Sequence, residues 1–332
     1  MDKQFDNQLL AVDLKLFDGE ANPNTTTGLS PEMKIFYGKY LIDLAQPELV
    51  HDQFGQKMNI PQGSGKTVRF RRFDALPELT APLTEGVTPD GQSLNVKDQE
   101  STVKQYGGYV TLSDMLELTA VDINILQATK LIASQAGRTL DTITREILNA
   151  GTNVQYADGS VASRGALTYT SATNNHNLTV NAVKKAVRYL ESQDARKING
   201  SYVAIIHPNV KFDLMNDPEW KRPNEYNATK ELYAGEIGEL YGVRFVESSR
   251  AKVFKGAGAG GADVYSTLII ADDAYGVTEV ENGGLQHIVK PLGSAGSADP
   301  LDQRSTVGWK AAKTAEILVD QYLVRIETTA TP

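Results

Sequence analysis

The chain has 332 residues, a formal net charge of −8 and no cysteine. At about 150 residues per domain, this length predicts one large or two modest folded units that can bury a core without disulfides or metals. The missing cysteines exclude disulfide scaffolds, thiolate catalysis and Cys-ligated zinc, and the acidic balance argues against a freely diffusing nucleic-acid-binding protein. Without a signal-peptide core or a long apolar run, we expect a soluble protein of a reducing compartment.

The first part of the chain predicts an arm followed by a helix. Residues 1–30 contain few apolar positions and a run of turn-forming residues, so they need another surface to lie on. From Pro31 the apolar residues recur at helical spacing, with Ser30 as the N-cap, and this helix ends near Pro47.

Residues 66–112 predict a long two-stranded excursion. KTVRFRRF (66–73) alternates apolar and basic residues, and VKQYGGYVTL (103–112) is typical of a returning strand. Some 30 residues rich in proline, glycine and acids separate the two. A loop of this length with so little apolar content cannot fold alone, so we expect a neighbouring molecule to hold it.

The segment 113–149 predicts the strongest helix of the chain. Its apolar positions step by three or four residues, at Ile132, Ala136, Leu140, Ile143 and Ile147. This pattern allows a helix of about 35 residues, with Gly137 or residues 122–124 as places where it could break.

From residue 176 onward the pattern becomes α/β. Thr179 predicts the N-cap of a helix, SYVAIIH (201–207) a buried strand, and Pro208 the start of a short helix. The expected elements that follow are a turn, a short helix and a strand in 235–249, a buried strand in 265–277, a flexible glycine loop at 255–262 and a closing strand within 303–329.

Motifs that could carry chemistry are weak. Gly63–Thr67 resembles the end of a phosphate-binding loop, but Ile60 stands where that motif needs glycine, and a strand follows instead of a helix. Asp272-Asp273 indicates a solvated turn more than a cation site, and His207 a helix start more than a base. We find no catalytic constellation and expect neither a cofactor nor enzymatic activity.

A basic cluster stands out in the predicted excursion. It could contact nucleic acid or pair with acidic groups of a neighbouring copy. Residues 66–104 hold six basic and six acidic side chains, and this neutrality favours pairing between subunits. The candidate contact residues are Lys66, Arg69, Arg71, Arg72, Glu78 and Glu85.

The order of these elements, together with three segments, carries a family resemblance. The segments are TTTGLSPEMKIFYGKYLIDLA (25–45), YVAIIHPNVKFDLMND (202–217) and GEIGELYGVRFVESS (235–249). They resemble the major capsid proteins of tailed phages, which have the HK97 fold, and among these the N4-like podovirus branch.

The resemblance implies an α+β capsid fold made of an N-terminal arm, an extended β-hairpin loop, a long spine helix, a peripheral domain and an α/β axial domain. The implied parts are the arm at 1–30, the peripheral domain at 31–60 with 113–175 and 291–332, the loop at 61–112, and the axial domain at 176–290.

The implied function is a major capsid protein that assembles into hexamers and pentamers around double-stranded phage DNA. It would be made in the bacterial cytoplasm and located in the virion. The implied partners are copies of the chain itself, together with scaffolding, portal and decoration proteins. No sequence-specific DNA contact and no membrane are expected. Because only some 30 residues precede the first helix, a separate scaffolding protein or none is expected. The alternatives are an encapsulin-type nanocompartment shell and an α/β enzyme without a recognisable motif.

Overall fold

A computed structural model describes residues 41, 45, 49–59, 66–73, 76–82, 85–86, 88, 91–115, 124–157, 159–171, 174–220, 236–279, 285–294 and 299–331. The predicted arm at 1–30 and the predicted start of the first helix lie outside these residues. Leu41 and Ala45 of that helix are helical and buried. Among the described helices, none has the length and apolar character needed to cross a membrane.

The helices and strands are named in chain order. The strands are β1 (Gln56–Met58), β2 (Thr67–Phe73), β3 (Val96–Thr102), β4 (Lys104–Ser113), β5 (Val154–Tyr156), β6 (Tyr169–Ser171), β7 (Asn174–Asn175), β8 (Tyr202–Ile206), β9 (Glu236–Leu240), β10 (Val243–Glu247), β11 (Val253–Phe254), β12 (Val264–Ile270), β13 (Tyr275–Thr278), β14 (Leu285–Lys290), β15 (Arg304–Lys313), β16 (Ala315–Ile317) and β17 (Leu323–Thr328). The helices are α1 (Asn124–Leu148), α2 (Val180–Ser192) and α3 (Pro208–Asn216).

The largest core lies on a sheet of seven strands. Six of them run in the order β5-β17-β12-β8-β10-β9, and β11 pairs with β12. All five residues of β8 and all six of β17 are buried, which confirms the predicted strand at 201–207 and the predicted closing strand. Helix α2 buries its apolar face against this sheet, and the Thr179 hydroxyl accepts a hydrogen bond from the Ala182 amide at 3.3 Å, as an N-cap does.

Three predictions in the α/β part are wrong. The described residues 236–249 contain no helix, because β9 and β10 form an antiparallel hairpin whose turn has left-handed residues at Tyr241 (φ 51°) and Gly242 (φ 72°). The expected single strand at 265–277 is two strands in different sheets, because the left-handed Asp273 (φ 55°) turns the chain between them. The glycine loop is fixed to the body, since the Ala259 amide donates to the Leu167 carbonyl at 2.7 Å.

A second core lies between α1 and the three-stranded sheet β14-β15-β4. The stripe Ile132, Ala136 and Leu140 is fully buried there, as predicted. The helix nevertheless has 25 residues and begins at Asn124, and Gly137 lies inside it without a break. Asp114 and Met115 are also helical, and residues 116–123 are outside the described part, so the predicted length of about 35 residues stays a prediction.

The predicted returning strand has a different partner from the expected one. β4 pairs with β15 over ten residues, from Lys104↔Lys313 to Ser113↔Arg304. The strand that returns along β2 is β3, in the segment that we expected to be loop. The reason is that β4 carries core residues such as Leu112, which pack towards α1, whereas β3 is almost wholly exposed and matches β2 by charge.

Candidate assembly interface

The hairpin of β2 and β3 forms a stem that carries charged pairs on one face. Its seven residue pairs extend over about 20 Å at ~3.4 Å per residue. Arg69 Nε lies 2.6 Å from Glu100 Oε1, and Arg71 Nε lies 3.6 Å from Asp98 Oδ1, all with well-exposed side chains. These cross-strand pairs help to set the register between β2 and β3.

The other face of β2 fixes the stem to the body of the protein. Val68 and Phe70 are each 1 % exposed. The Phe70 ring lies directly on Gly276 of β13, where a Cβ atom would meet Phe70 Cε1 at 2.3 Å. Only a residue without a side chain allows this approach, so Gly276 forms the seat of the ring.

Strand β3 is attached to β16 by polar contacts. The Ser101 hydroxyl lies 2.7 Å from the Thr314 hydroxyl and donates to Glu316 Oε2 at 3.3 Å. Gln99 Nε2 donates to Glu316 Oε1, also at 3.3 Å. The base of the hairpin is therefore held on both strands.

A buried ionic cluster lies where the chain enters β1. His51 Nδ1 is 2.9 Å from Asp141 Oδ2, and both side chains are fully buried. Lys313 at the end of β15 pairs with Asp52, also inside the protein. The Tyr275 hydroxyl donates to the His51 carbonyl at 2.5 Å, and burial raises the pKa of Tyr275 well above its usual value. Buried polar and charged side chains need partners, so these contacts tie the turn at His51 and Asp52 to α1 and β15.

The tip of the hairpin, residues 74–95, has the opposite character. Its described residues are all exposed. The exposed fractions are 50 % for Leu76, 80 % for Leu79 and 67 % for Leu94. The tip also contains four acidic residues and no lysine or arginine. Several large apolar side chains left in water on one segment indicate a surface that a partner covers.

The predicted contact residues separate into two groups. Arg69 and Arg71 pair within the chain, and Arg72 is half-buried on the same stem. Lys66 is exposed at the start of the stem, where its carbonyl accepts from the Val103 amide at 2.8 Å. Glu78 and Glu85 lie exposed on the tip. Contact of these six residues with another subunit stays a prediction. The leucines of the tip were not among the predicted contact residues. The signal that could have indicated them is the mixture of leucine, proline and acidic residues in one loop.

The other residues that could take part in catalysis or ligand binding have structural roles. The chain passes from Lys66 into strand β2, as expected, so the helix of a phosphate-binding loop is missing at this point. His207 caps α3, because its Nδ1 accepts from the Asn209 amide at 3.2 Å, and burial lowers the pKa of this histidine. Within the described residues, no three His, Cys, Asp or Glu side chains come together in a way that could hold a metal ion.

The fold is similar to that of solved phage capsids. The capsid protein of Ralstonia phage GP4 matches with a TM-score of 0.65 and 15 % identity, over 84 % of this chain and 87 % of the other. The capsid protein of cyanophage Pam1 matches with a TM-score of 0.63 and 16 % identity, over 85 % and 90 % of the two chains. At such low identity these matches show the fold, and the predicted HK97-type architecture is confirmed.

An encapsulin shares the fold more distantly. The chain in an encapsulin complex from Synechococcus elongatus matches with a TM-score of 0.50 and 9 % identity, over 86 % of this chain and 88 % of the other. No curated protein matches by sequence. The family model described as phage capsid protein matches residues 97–323, well over half of the chain. The chain therefore belongs to the phage capsid protein family, as a structural subunit of the virion shell that associates with copies of itself.

Proposed function

We propose that this capsid subunit assembles into hexamers and pentamers that close into an icosahedral shell around double-stranded DNA, and that the β2–β3 hairpin lies across a neighbouring subunit. The exposed leucines of the tip carry the second part of this proposal. Burial of apolar surface stabilises a contact by about 25 cal/mol per Å². A contact repeated at every subunit adds up over the shell, so each one can be weak.

We also propose a division of the subunit that follows its sheets. The peripheral part would consist of α1 with β4, β14 and β15, and the axial part of the seven-stranded sheet with α2 and α3. This division differs from the predicted one, which ended the axial domain at residue 290. It is supported by the pairing of β12 with β17, because β17 lies beyond residue 290 and yet belongs to the same sheet.

The overall charge supports enclosure of DNA without specific binding. With a net charge of −8, the chain lacks the basic excess that holds DNA through its phosphates. A wall that does not bind the genome tightly lets it leave. Catalysis has no part in the proposed role.

Purification of the expressed chain tests the assembly proposal. Light scattering after size exclusion, with negative-stain images, is expected to show uniform megadalton particles. Their absorbance ratio separates shells that hold DNA from those that hold a protein cargo, which the encapsulin alternative requires. If neither the chain alone nor the chain co-expressed with candidate scaffolding proteins forms large particles, the proposal is wrong.

Replacement of the tip tests the role of the hairpin. Because Phe73 and Val96 are the last paired residues, an Asn-Gly turn in place of residues 74–95 can close the stem. We expect subunits with an unchanged unfolding midpoint that no longer form shells. In a second variant, glycine and serine residues replace residues 74–95 without a change in chain length. We expect that this variant also folds but does not form shells. Normal shells from both variants would contradict a role of the tip in assembly.

A further inference from the structure

One side of helix α1 carries an open polar pocket with a volume of about 370 Å³. Most of its lining comes from α1 itself, and the rest from β4 and the loop that follows β10. The polar side chains of the lining are Tyr106, Gln135, Arg138, Thr139, Thr142 and Arg250. Those of α1 are three or four positions apart, so they share one side of the helix over about 10 Å of its length. We call this site the arginine pocket.

The arginine pocket presents hydrogen-bond donors. Arg138 Nε donates to the Ser134 carbonyl at 3.2 Å, which holds the side chain along the helix without using its terminal nitrogens. Gln135 Oε1 accepts from Trp309 Nε1 at 3.2 Å, and this contact leaves the amide nitrogen of Gln135 as a donor. The two threonine hydroxyls donate to backbone carbonyls of α1 at 2.8 Å, so the guanidinium and amide groups are the donors that a ligand meets.

The pocket is positively charged. Its lining contains two guanidinium groups and no carboxylate among the described residues. The two acidic residues of α1 are engaged elsewhere: Glu146 lies 2.5 Å from both Arg145 and Lys252, and the fully buried Asp141 pairs with His51. A local positive charge in a chain of net charge −8 selects an anion.

The lining fits the phosphates of a nucleic acid better than an acidic segment of a protein. Arginine, glutamine and tyrosine side chains are among those that contact phosphate oxygens in protein–DNA complexes. A protein partner would need apolar surface at the centre of the contact, whereas Ile143 is the one aliphatic residue of the described lining. A DNA duplex carries one charge per about 1.7 Å of its axis, so several phosphates pass along the ~10 Å of α1 that the pocket occupies.

We propose that the arginine pocket binds the phosphate backbone of the enclosed double-stranded DNA, with Arg138 and Arg250 on phosphate oxygens and this side of α1 turned to the interior of the shell. The inference rests on the proposed assembly around DNA and adds the surface that meets the genome. Two cations per subunit make a contact that is weak, independent of sequence and screened by salt. Such a contact is compatible with the net charge of −8 and with release of the genome.

DNA binding by the full-length, unassembled subunit tests the pocket. Fluorescence anisotropy of a labelled duplex of about 30 base pairs gives the affinity at salt concentrations from about 50 to 200 mM. Each phosphate contact adds about 0.9 to the slope of log affinity against log salt concentration. Arg138→Gln with Arg250→Gln is therefore expected to lower the slope by about 1.8. Arg138→Gln alone, a change at an exposed position that keeps the fold, is expected to lower it by about 0.9.

Two lysines on another face provide the matched control. Lys290 and Lys310 are exposed on the side of the sheet β14-β15-β4 that points away from α1. Lys290→Gln with Lys310→Gln removes the same charge as the double arginine variant and is expected to leave the slope unchanged. An unchanged slope in the arginine variants, or an equal loss in the lysine variant, overturns the pocket.

A competition experiment decides the class of ligand. Unlabelled duplex is expected to displace the labelled DNA at a much lower concentration of charge than polyglutamate does. Equal displacement by polyglutamate overturns nucleic acid as the ligand. Both measurements use unassembled subunits, so their outcome is separate from that of the assembly proposal, which fails if no particles form.

Discussion

Replacement of Gly276 by alanine tests the contact with Phe70 that fixes the β2–β3 hairpin to the body of the protein. The new Cβ would lie 2.3 Å from Phe70 Cε1 and 2.4 Å from Cδ1, far inside van der Waals contact. Since Phe70 is 1 % exposed and lies between β2 and β13, the ring can clear the methyl group only if β2 moves away from the body. Overpacking of this kind costs about 1–3 kcal/mol.

A double-mutant cycle with Phe70→Leu isolates that contact. The leucine change alone removes ring atoms and costs about 1–2 kcal/mol. In the double variant the shorter side chain no longer meets the methyl group, so the loss should be at least about 1 kcal/mol smaller than the sum of the single losses. Gly165→Ala is the matched control, because its Cβ would have no neighbour within 4 Å and its backbone is not left-handed.

Urea denaturation of the unassembled subunit measures the four free energies of unfolding, and electron microscopy measures particle yield. We expect Gly276→Ala to lower both, and Phe70→Leu in the same chain to recover part of the stability. Additive losses would refute the argument, because they would mean that the ring does not lie against Gly276. A loss of stability in Gly165→Ala equal to that in Gly276→Ala would assign the effect to glycine replacement in general.

Three further predictions concern charge. Lys313→Met leaves a buried carboxylate without its cation and should destabilise the subunit by about 3–5 kcal/mol, whereas the exposed Lys310→Met on the same strand should stay within ~0.5 kcal/mol; urea midpoints compare them. Arg69→Glu places two acids opposite each other on the stem and should cost no more than ~1 kcal/mol, because the pair is exposed, and Glu100→Arg in the same chain should recover it. Burial lowers the pKa of His287, so the unfolded state binds more protons below about pH 6.5 and the melting temperature should fall as the pH drops from there. The variant His287→Gln should show a shallower fall, and an equal slope in both proteins would exclude this histidine as the cause.

The elements that could be predicted from the sequence are those with a local signal. Strand β8 is a continuous apolar run, α2 has a cap and a periodic face, and α3 begins at a proline. Strand β3 has no such signal. Its sequence VKDQEST has one buried residue, and its position depends on charges of β2 that lie some 30 residues away. Propensity cannot reveal a strand whose pairing is fixed by its partner.

The candidate assembly interface also has a part with a local sequence signal and a part without one. A projecting hairpin could be predicted from the length and thin apolar content of residues 66–112, and the basic cluster from the sequence of residues 66–73. That a neighbour holds the hairpin stays a prediction. The contact of Phe70 with Gly276, which fixes the hairpin to the body, could not be predicted, because it exists only once two distant segments of the chain come together. Neither residue is unusual in its own local sequence.

The contrast between stem and tip explains how a weak contact can organise a shell. The stem is fixed by Phe70 on Gly276 and by Ser101 on β16, so the hairpin needs little further ordering before it reaches a neighbour. Association costs least when the docking segment is already held in place, because the ordering of a mobile chain otherwise consumes part of the binding energy. The energy from burying the tip leucines can then go into association. Leu76, Leu79 and Leu94 of the tip are exposed on the subunit, so in the proposed assembly a neighbour would remove their apolar surface from water.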